Sequence, residues 1–133
     1  MKKEEVQQEY LKLQVLDGQI QEIQKQLETM EEQNFQLLTL KENIGSVKNF
    51  KENSKVFAPI NPGIYLESEL KNSKEVLVNI GSNIFVKKTL KDAQELVQKR
   101  IDQVKKIIED LTLDLQDLSN QAKESQEKLK DYV

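Results

Sequence analysis

Residues 55–88 read KVFAPINPGIYLESELKNSKEVLVNIGSNIFVKK, a stretch that holds both prolines and two of the four glycines of the chain. Apolar and polar residues alternate along it, which is the two-residue period of a pleated strand. Turn-forming residues interrupt this alternation at 61–63 (Asn-Pro-Gly), 71–74 (Lys-Asn-Ser-Lys) and 81–83 (Gly-Ser-Asn). Proline presets one turn dihedral, and Gly and Asn tolerate the positive φ of tight hairpins. The stretch therefore predicts four short strands in two β-hairpins.

Both flanks of this stretch carry the heptad pattern of a coiled-coil seam, with apolar residues at positions a and d. In the first flank the a and d positions hold Val6, Leu13, Ile20, Leu27, Leu16, Ile23, Met30 and Leu37, with Asn34 as a polar interruption at a. In the second they hold Ile101, Ile108, Leu115, Ala122, Leu129, Val97, Val104, Leu111, Leu118, Ser125 and Tyr132. We expect the first helix to end near Phe50–Asn53, and Thr89 with Asp92 to cap the second.

Two helices of similar length that flank a compact connector can fold back on each other. The predicted fold class is α+β, dominated by a long antiparallel two-helix coiled coil joined by two β-hairpins. The predicted segments are an N-terminal helix at 1–54, an assembly region at 55–88 and a C-terminal helix at 89–133. A parallel coiled coil, in which each helix pairs with another copy, is the alternative geometry.

The composition argues against several classes of chemistry. The chain has no Cys and no His, which removes the usual zinc ligands and any His-assisted nucleophile. Its four glycines are too scattered for a phosphate-binding loop, and Arg100 is the only arginine. We therefore expect no catalytic site, no metal site and no cofactor. No apolar run is long enough for a membrane span or a secretion signal, so a cytoplasmic protein is expected.

The hairpin stretch, together with the start of the second flank, resembles the α-class subunit of the prefoldin family in its archaeal form. Its matching residues are Pro59, Pro62-Gly63, Leu70-Lys71, Val76-Leu77-Val78, Ile80-Gly81, Ile84-Phe85-Val86, Ala93 and Lys99-Arg100-Ile101. The resemblance covers nearly the whole chain, and two hairpins rather than one indicate the α class over the β class. Asn61 stands where Gly is common in the family, and Asn supports the same turn geometry.

The resemblance implies an ATP-independent co-chaperone subunit that holds non-native proteins with its coiled-coil tips and delivers them to a group II chaperonin. It implies a hexamer of two α-class and four β-class subunits, whose hairpins assemble into β-barrels that leave no open strand edges. On this basis the subunit-assembly residues are Val56, Ile60, Ile64, Leu66, Val76, Val78, Ile80, Ile84 and Val86. The client-binding residues are Val6, Tyr10, Leu11, Leu129, Tyr132 and Val133.

Two other classes of function stay open. One is a structural coiled-coil protein, such as a filament-forming prefoldin relative built from a single type of subunit. The other is a nucleic-acid or membrane-surface adaptor that uses residues 46–88, which contain seven lysines and four acidic residues. Binding of the second kind should vanish with salt, whereas capture of apolar clients should persist. A sheet packed only on its own helices, without partners, is the alternative to assembly.

Overall fold

The computed structural model describes residues 2–132. Along this part of the chain the elements are α1 (Lys3–Val47), β1 (Lys55–Asn61), β2 (Ile64–Glu69), β3 (Glu75–Gly81), β4 (Ile84–Thr89) and α2 (Leu90–Lys130). Two long helices and two antiparallel hairpins therefore confirm the predicted fold class. The first helix ends at Val47, before the expected Phe50–Asn53, in a turn where the Phe50 amide donates to the Val47 carbonyl at 3.0 Å.

The described residues form two compact units. One joins the part of α1 up to Phe35 with the part of α2 from Gln103. The other, Gln36–Asp102, holds the remaining turns of both helices and the four strands. The two helices run antiparallel in each unit. In the first unit Glu9, early in α1, forms a hydrogen bond with Ser125, late in α2, whereas Met30 lines a groove with the earlier α2 residue Leu111. In the second, α1 residues 38–45 line a groove with α2 residues 91–98.

In the first unit the heptad spacing accounts for burial. The a and d residues of α1 are all shielded to some degree, and Leu16 is the most buried, at 5% exposed. On α2 the most buried residues of this unit are Val104, Ala122, Ser125 and Leu129. Side chains spaced three and four residues apart lie on one helix face, so each helix contributes a single apolar stripe.

Asn34 interrupts that stripe, as the sequence predicts. Its side-chain oxygen Oδ1 is buried and finds no hydrogen-bond partner among the described residues. A buried polar atom left without a partner costs about 1–3 kcal/mol. Asn34 therefore weakens the helix pair at this level.

The two hairpins of the second unit have the same register. In the first, Lys55 pairs with Glu69 and Phe57 with Glu67; in the second, Glu75 pairs with Thr89. Every paired position of the first hairpin has its counterpart twenty residues later in the second, including the irregularity just before the turn. The hairpins are thus an internal structural repeat, and each is a separate two-stranded sheet.

Different residues make the two equivalent turns. Gly63 supplies a positive φ of +89° after Pro62, a sequence order typical of a type II turn. In the second hairpin Ser82 and Asn83 both have positive φ, at +51° and +59°, as in a type I′ turn.

Backbone hydrogen bonds close the open ends of both hairpins. The Leu70 amide donates to the Ser54 carbonyl at 2.9 Å, and the Leu90 amide donates to the Lys74 carbonyl at 3.0 Å. The Thr89 hydroxyl accepts from the Asp92 amide at 3.1 Å, which confirms the predicted cap of α2. Below this cap Ala93, Val97 and Ile101 are buried, so the first turns of α2 form the core of the second unit.

Candidate binding surfaces

The first candidate surface is a groove at the end of the first unit, which we call the helix-end groove. Its lining residues are Tyr10, Leu13, Lys123, Gln126, Glu127, Leu129 and Lys130. Tyr10 is 48% exposed because it lies at heptad position e, beside the seam rather than inside it. The floor is apolar and two lysines flank it. Such a groove suits an apolar peptide segment better than a small polar ligand.

The six predicted client-binding residues fall in different environments. Leu11 is 62% exposed and points away from the seam at position f, whereas Val6 is half-buried in it. Leu129 lines the helix-end groove but is only 5% exposed, so it offers a client little surface. Tyr132 lies in a second groove, beside Glu5 and Lys12. Val133 lies outside the described residues.

A polar pair lies within the seam close to this groove. Ser125, 1% exposed, donates a hydrogen bond from its hydroxyl to Glu9 Oε1. This bond lowers the pKa of the Glu9 carboxyl below its ordinary value; burial opposes the shift, and the ammonium groups of Lys128 and Lys12 add to it. Position d was predicted at Ser125, but the charged Glu9 at the matching d position of α1 was not identified from the sequence.

The second candidate surface is formed by the hairpins. Of the nine predicted assembly residues, Ile60, Ile64, Leu66, Ile80, Ile84 and Val86 are exposed, and Val56, Val76 and Val78 are half-buried. Four large apolar residues on the opposite faces were missed: Phe57, Tyr65, Leu77 and Phe85, all at least 58% exposed. Alternation marks two faces of a strand, and only one of them was assigned. Each hairpin therefore exposes apolar side chains on both faces.

Neither a metal-binding cluster nor a membrane-spanning helix is found among the described residues. Among residues 2–132 no group of three or more acidic side chains is placed to hold a metal ion. Within the same residues, neither helix has a stretch apolar enough to cross a membrane.

A family model described as Prefoldin subunit matches residues 16–132. The chain belongs to the prefoldin family. Its curated relatives include the protein named Prefoldin subunit alpha from Methanococcus aeolicus, 25% identical over 130 residues, with 98% of this chain and 88% of the relative covered. Another is the Prefoldin subunit alpha of Thermofilum pendens, 32% identical over 96 residues, which covers 72% of this chain and 71% of the relative. The predicted resemblance to an archaeal α-class prefoldin subunit is confirmed.

A solved prefoldin shows the same fold. The cryo-EM structure of filamentous PFD from Methanocaldococcus jannaschii superposes with a TM-score of 0.76 at 16% identity. It covers 85% of this chain and 93% of that chain. Family and fold together make this chain a chaperone-like prefoldin subunit that assembles with other prefoldin subunits.

Proposed function

We propose that this chain is the α-class subunit of an ATP-independent co-chaperone, which captures non-native proteins at the helix ends of the first unit and delivers them to a group II chaperonin. The observation that carries the proposal is the helix-end groove, an apolar floor of Leu13 and Leu129 beside the exposed ring of Tyr10. A non-native protein differs from a native one chiefly in its exposed apolar segments. A surface of this chemistry recognises that difference without reading a particular sequence.

Capture at this groove needs no chemical step. A shallow groove on two helices holds an apolar segment weakly, because little of the segment leaves water. Several such grooves in one assembly bind a long unfolded chain together, and avidity raises the overall affinity without tightening any single contact. Weak individual contacts also allow the client to be released to a chaperonin without nucleotide. We therefore assign no catalytic residue and no cofactor. We also propose that the protein acts in the cytoplasm.

The hairpins supply the proposed assembly surface. An isolated two-stranded sheet is marginally stable, and those of this chain expose apolar side chains on both faces. Closure into barrels with the hairpins of β-class subunits covers these side chains and leaves no open strand edges. We propose the arrangement of two α-class with four β-class subunits for this complex.

A filament-forming prefoldin built from one type of subunit is the second candidate function. The fold similarity to filamentous PFD favours it. Measuring the mass of the chain alone, and then with a β-class partner, separates the two. A filament grows without the partner, whereas the hexamer requires it.

Client capture is tested by light scattering as a chemically denatured protein is diluted into the assembled complex without nucleotide. The variant Tyr10→Ala/Leu11→Ala removes two exposed apolar side chains near the helix ends. Its matched control is Ile107→Ala/Leu113→Ala, because Ile107 and Leu113 are 43% and 63% exposed on the same unit, close to the 48% and 62% of Tyr10 and Leu11. We expect the double variant to suppress aggregation at least severalfold less well and the control to match the wild type. Equal suppression by the double variant and the wild type would disprove capture at this end.

A further inference from the structure

The helix-end groove differs in charge from the unit that holds it. The first unit is acidic, since residues 2–35 and 103–132 contain nine lysines and fifteen acidic residues. The lining of the groove reverses this balance, because Lys123 and Lys130 outnumber its single carboxylate, that of Glu127. Within residues 2–132 neither of these lysines forms an ion pair with Glu127 or with another carboxylate. Both ammonium groups are therefore available to a bound segment.

The two lysines stand beside the apolar part of the groove. They lie two helical turns apart on α2, which separates their Cα atoms by about 10 Å along the helix axis. The half-buried side chain of Leu13 and the exposed ring of Tyr10 line the same groove from α1. A lysine can lay its methylene stem on apolar surface and keep its ammonium group in water. The groove thus combines an apolar contact with two separated positive charges.

We propose that this groove selects apolar client segments that carry two acidic residues close together in sequence. The inference rests on the proposed function and adds to it the chemical class of the client. An extended chain rises about 3.3 Å per residue, so carboxylates about three or four residues apart reach both ammonium groups at once. A segment with basic residues at the same positions meets like charges and binds more weakly. Apolar contact supplies the affinity, and charge supplies the choice among segments.

The second groove of the same unit has the opposite charge balance. Three carboxylates line it, those of Glu5, Glu9 and Asp131, together with the ammonium groups of Lys12 and Lys128. An acidic segment therefore meets an excess of negative charge there. The preference for acidic segments belongs to the helix-end groove alone among these two surfaces.

Fluorescence anisotropy of labelled peptides, titrated with the assembled complex at low salt and without nucleotide, tests the proposal. Three peptides share one apolar sequence and differ only at two positions about four residues apart, which hold Glu, Gln or Lys. The Glu peptide should bind about three- to tenfold more tightly than the Lys peptide, because each exposed charge pair contributes modestly. At about 1 M salt this difference should shrink while binding of the Gln peptide persists.

A variant of this chain assigns the preference to the two lysines. The complex that contains Lys123→Glu/Lys130→Glu should no longer favour the Glu peptide and should bind the Gln peptide like the wild type. Its matched control, Lys105→Glu/Lys106→Glu, makes the same change of charge at two exposed lysines of α2 in the same unit, outside the groove. The control should keep the preference. Circular dichroism verifies that both variants retain their helices.

The outcomes separate this inference from the proposed function. Binding of the Glu and Lys peptides with equal affinity overturns the charge preference and leaves capture of apolar segments standing. A preference that survives in Lys123→Glu/Lys130→Glu, or that is lost equally in the control, also overturns the inference. Failure of all three peptides to bind contradicts both the inference and the proposed function.

Discussion

Ser125 donates a hydrogen bond to Glu9 across the helix pair, between two d positions of the seam that lie 116 residues apart in sequence. Ser125 is nearly fully buried, and the Glu9 carboxylate is the acceptor that satisfies its hydroxyl. Both residues belong to the first unit, close to the helix-end groove. The seam thus carries a charged hydrogen bond where a coiled coil ordinarily has an apolar layer.

This bond makes the stability of the first unit depend on pH. The pKa of Glu9 is lower in the folded chain than in the unfolded chain. The contribution of its carboxylate to stability is therefore present above the unfolded pKa and is lost as pH falls through the folded pKa. Ser125→Ala should raise the pKa of Glu9 toward its ordinary value, measured by NMR titration of the carboxyl carbon. The pH-dependent part of the stability difference between wild type and variant should vanish in acid. Glu9→Gln, which cannot ionise, is the control, and an unchanged Glu9 titration in Ser125→Ala would contradict the assignment.

Asn34 offers a test of the polar interruption. Asn34→Leu puts an apolar side chain in place of a buried oxygen that has no hydrogen-bond partner among residues 2–132, so the free energy of unfolding should rise by about 1–3 kcal/mol. Thermal unfolding followed by circular dichroism at fixed concentration measures the change. Asn120→Leu is the matched control on an exposed position of α2, and its effect should stay within about 0.5 kcal/mol. A loss of stability in Asn34→Leu would show that the amide makes a favourable interaction in solution.

The sequence predicted the elements well because each follows from a local rule. Heptad spacing identified the seam, and Thr89 with Asp92 identified the start of α2. The Glu9–Ser125 hydrogen bond could not be predicted from the sequence. A charged residue at a seam position indicates a defect in the seam until its partner on the other helix is known. The early end of α1 was missed for a related reason: the polar residues after Val47 suit a helix as well as a turn, and hydrogen bonds there select the turn.

The hairpins show the opposite limit. Alternation predicted the strands and turns, but it does not say which face is covered when a sheet has two strands and no core of its own. Phe57 and Phe85 were therefore passed over, although they are as exposed as the predicted assembly residues. The matching register of the hairpins depends on pairing between strands, which one sequence does not display. Which of these faces another subunit covers stays a prediction.

Arg100 should stabilise the second hairpin and leave the first hairpin unaffected. Arg100→Lys loses the guanidinium that donates to Asn79, and a hydrogen bond of this kind contributes about 0.5–1.5 kcal/mol. Hydrogen exchange of the β3 amides should become faster, while the amides of β1 and β2 serve as an internal reference. Lys99→Arg, one position away and exposed, is the control for the change of side chain. Equal exchange in both hairpins of Arg100→Lys would show that this contact does not hold β3.

Two glycines with empty space around them should respond to alanine with opposite signs. Apart from the adjacent backbone of the chain itself, neither Gly18 nor Gly63 has an atom within 4 Å of the position that a Cβ would take, so steric contact does not distinguish them. Gly18 lies within α1, where Gly→Ala adds about 0.5–1 kcal/mol of stability by restricting the unfolded chain. Gly63 has a φ of +89°, where an L-residue is strained by about 1–2 kcal/mol. Gly18→Ala should therefore raise the melting temperature and Gly63→Ala should lower it. Stabilisation by Gly63→Ala would mean that the first hairpin adopts a different turn in solution.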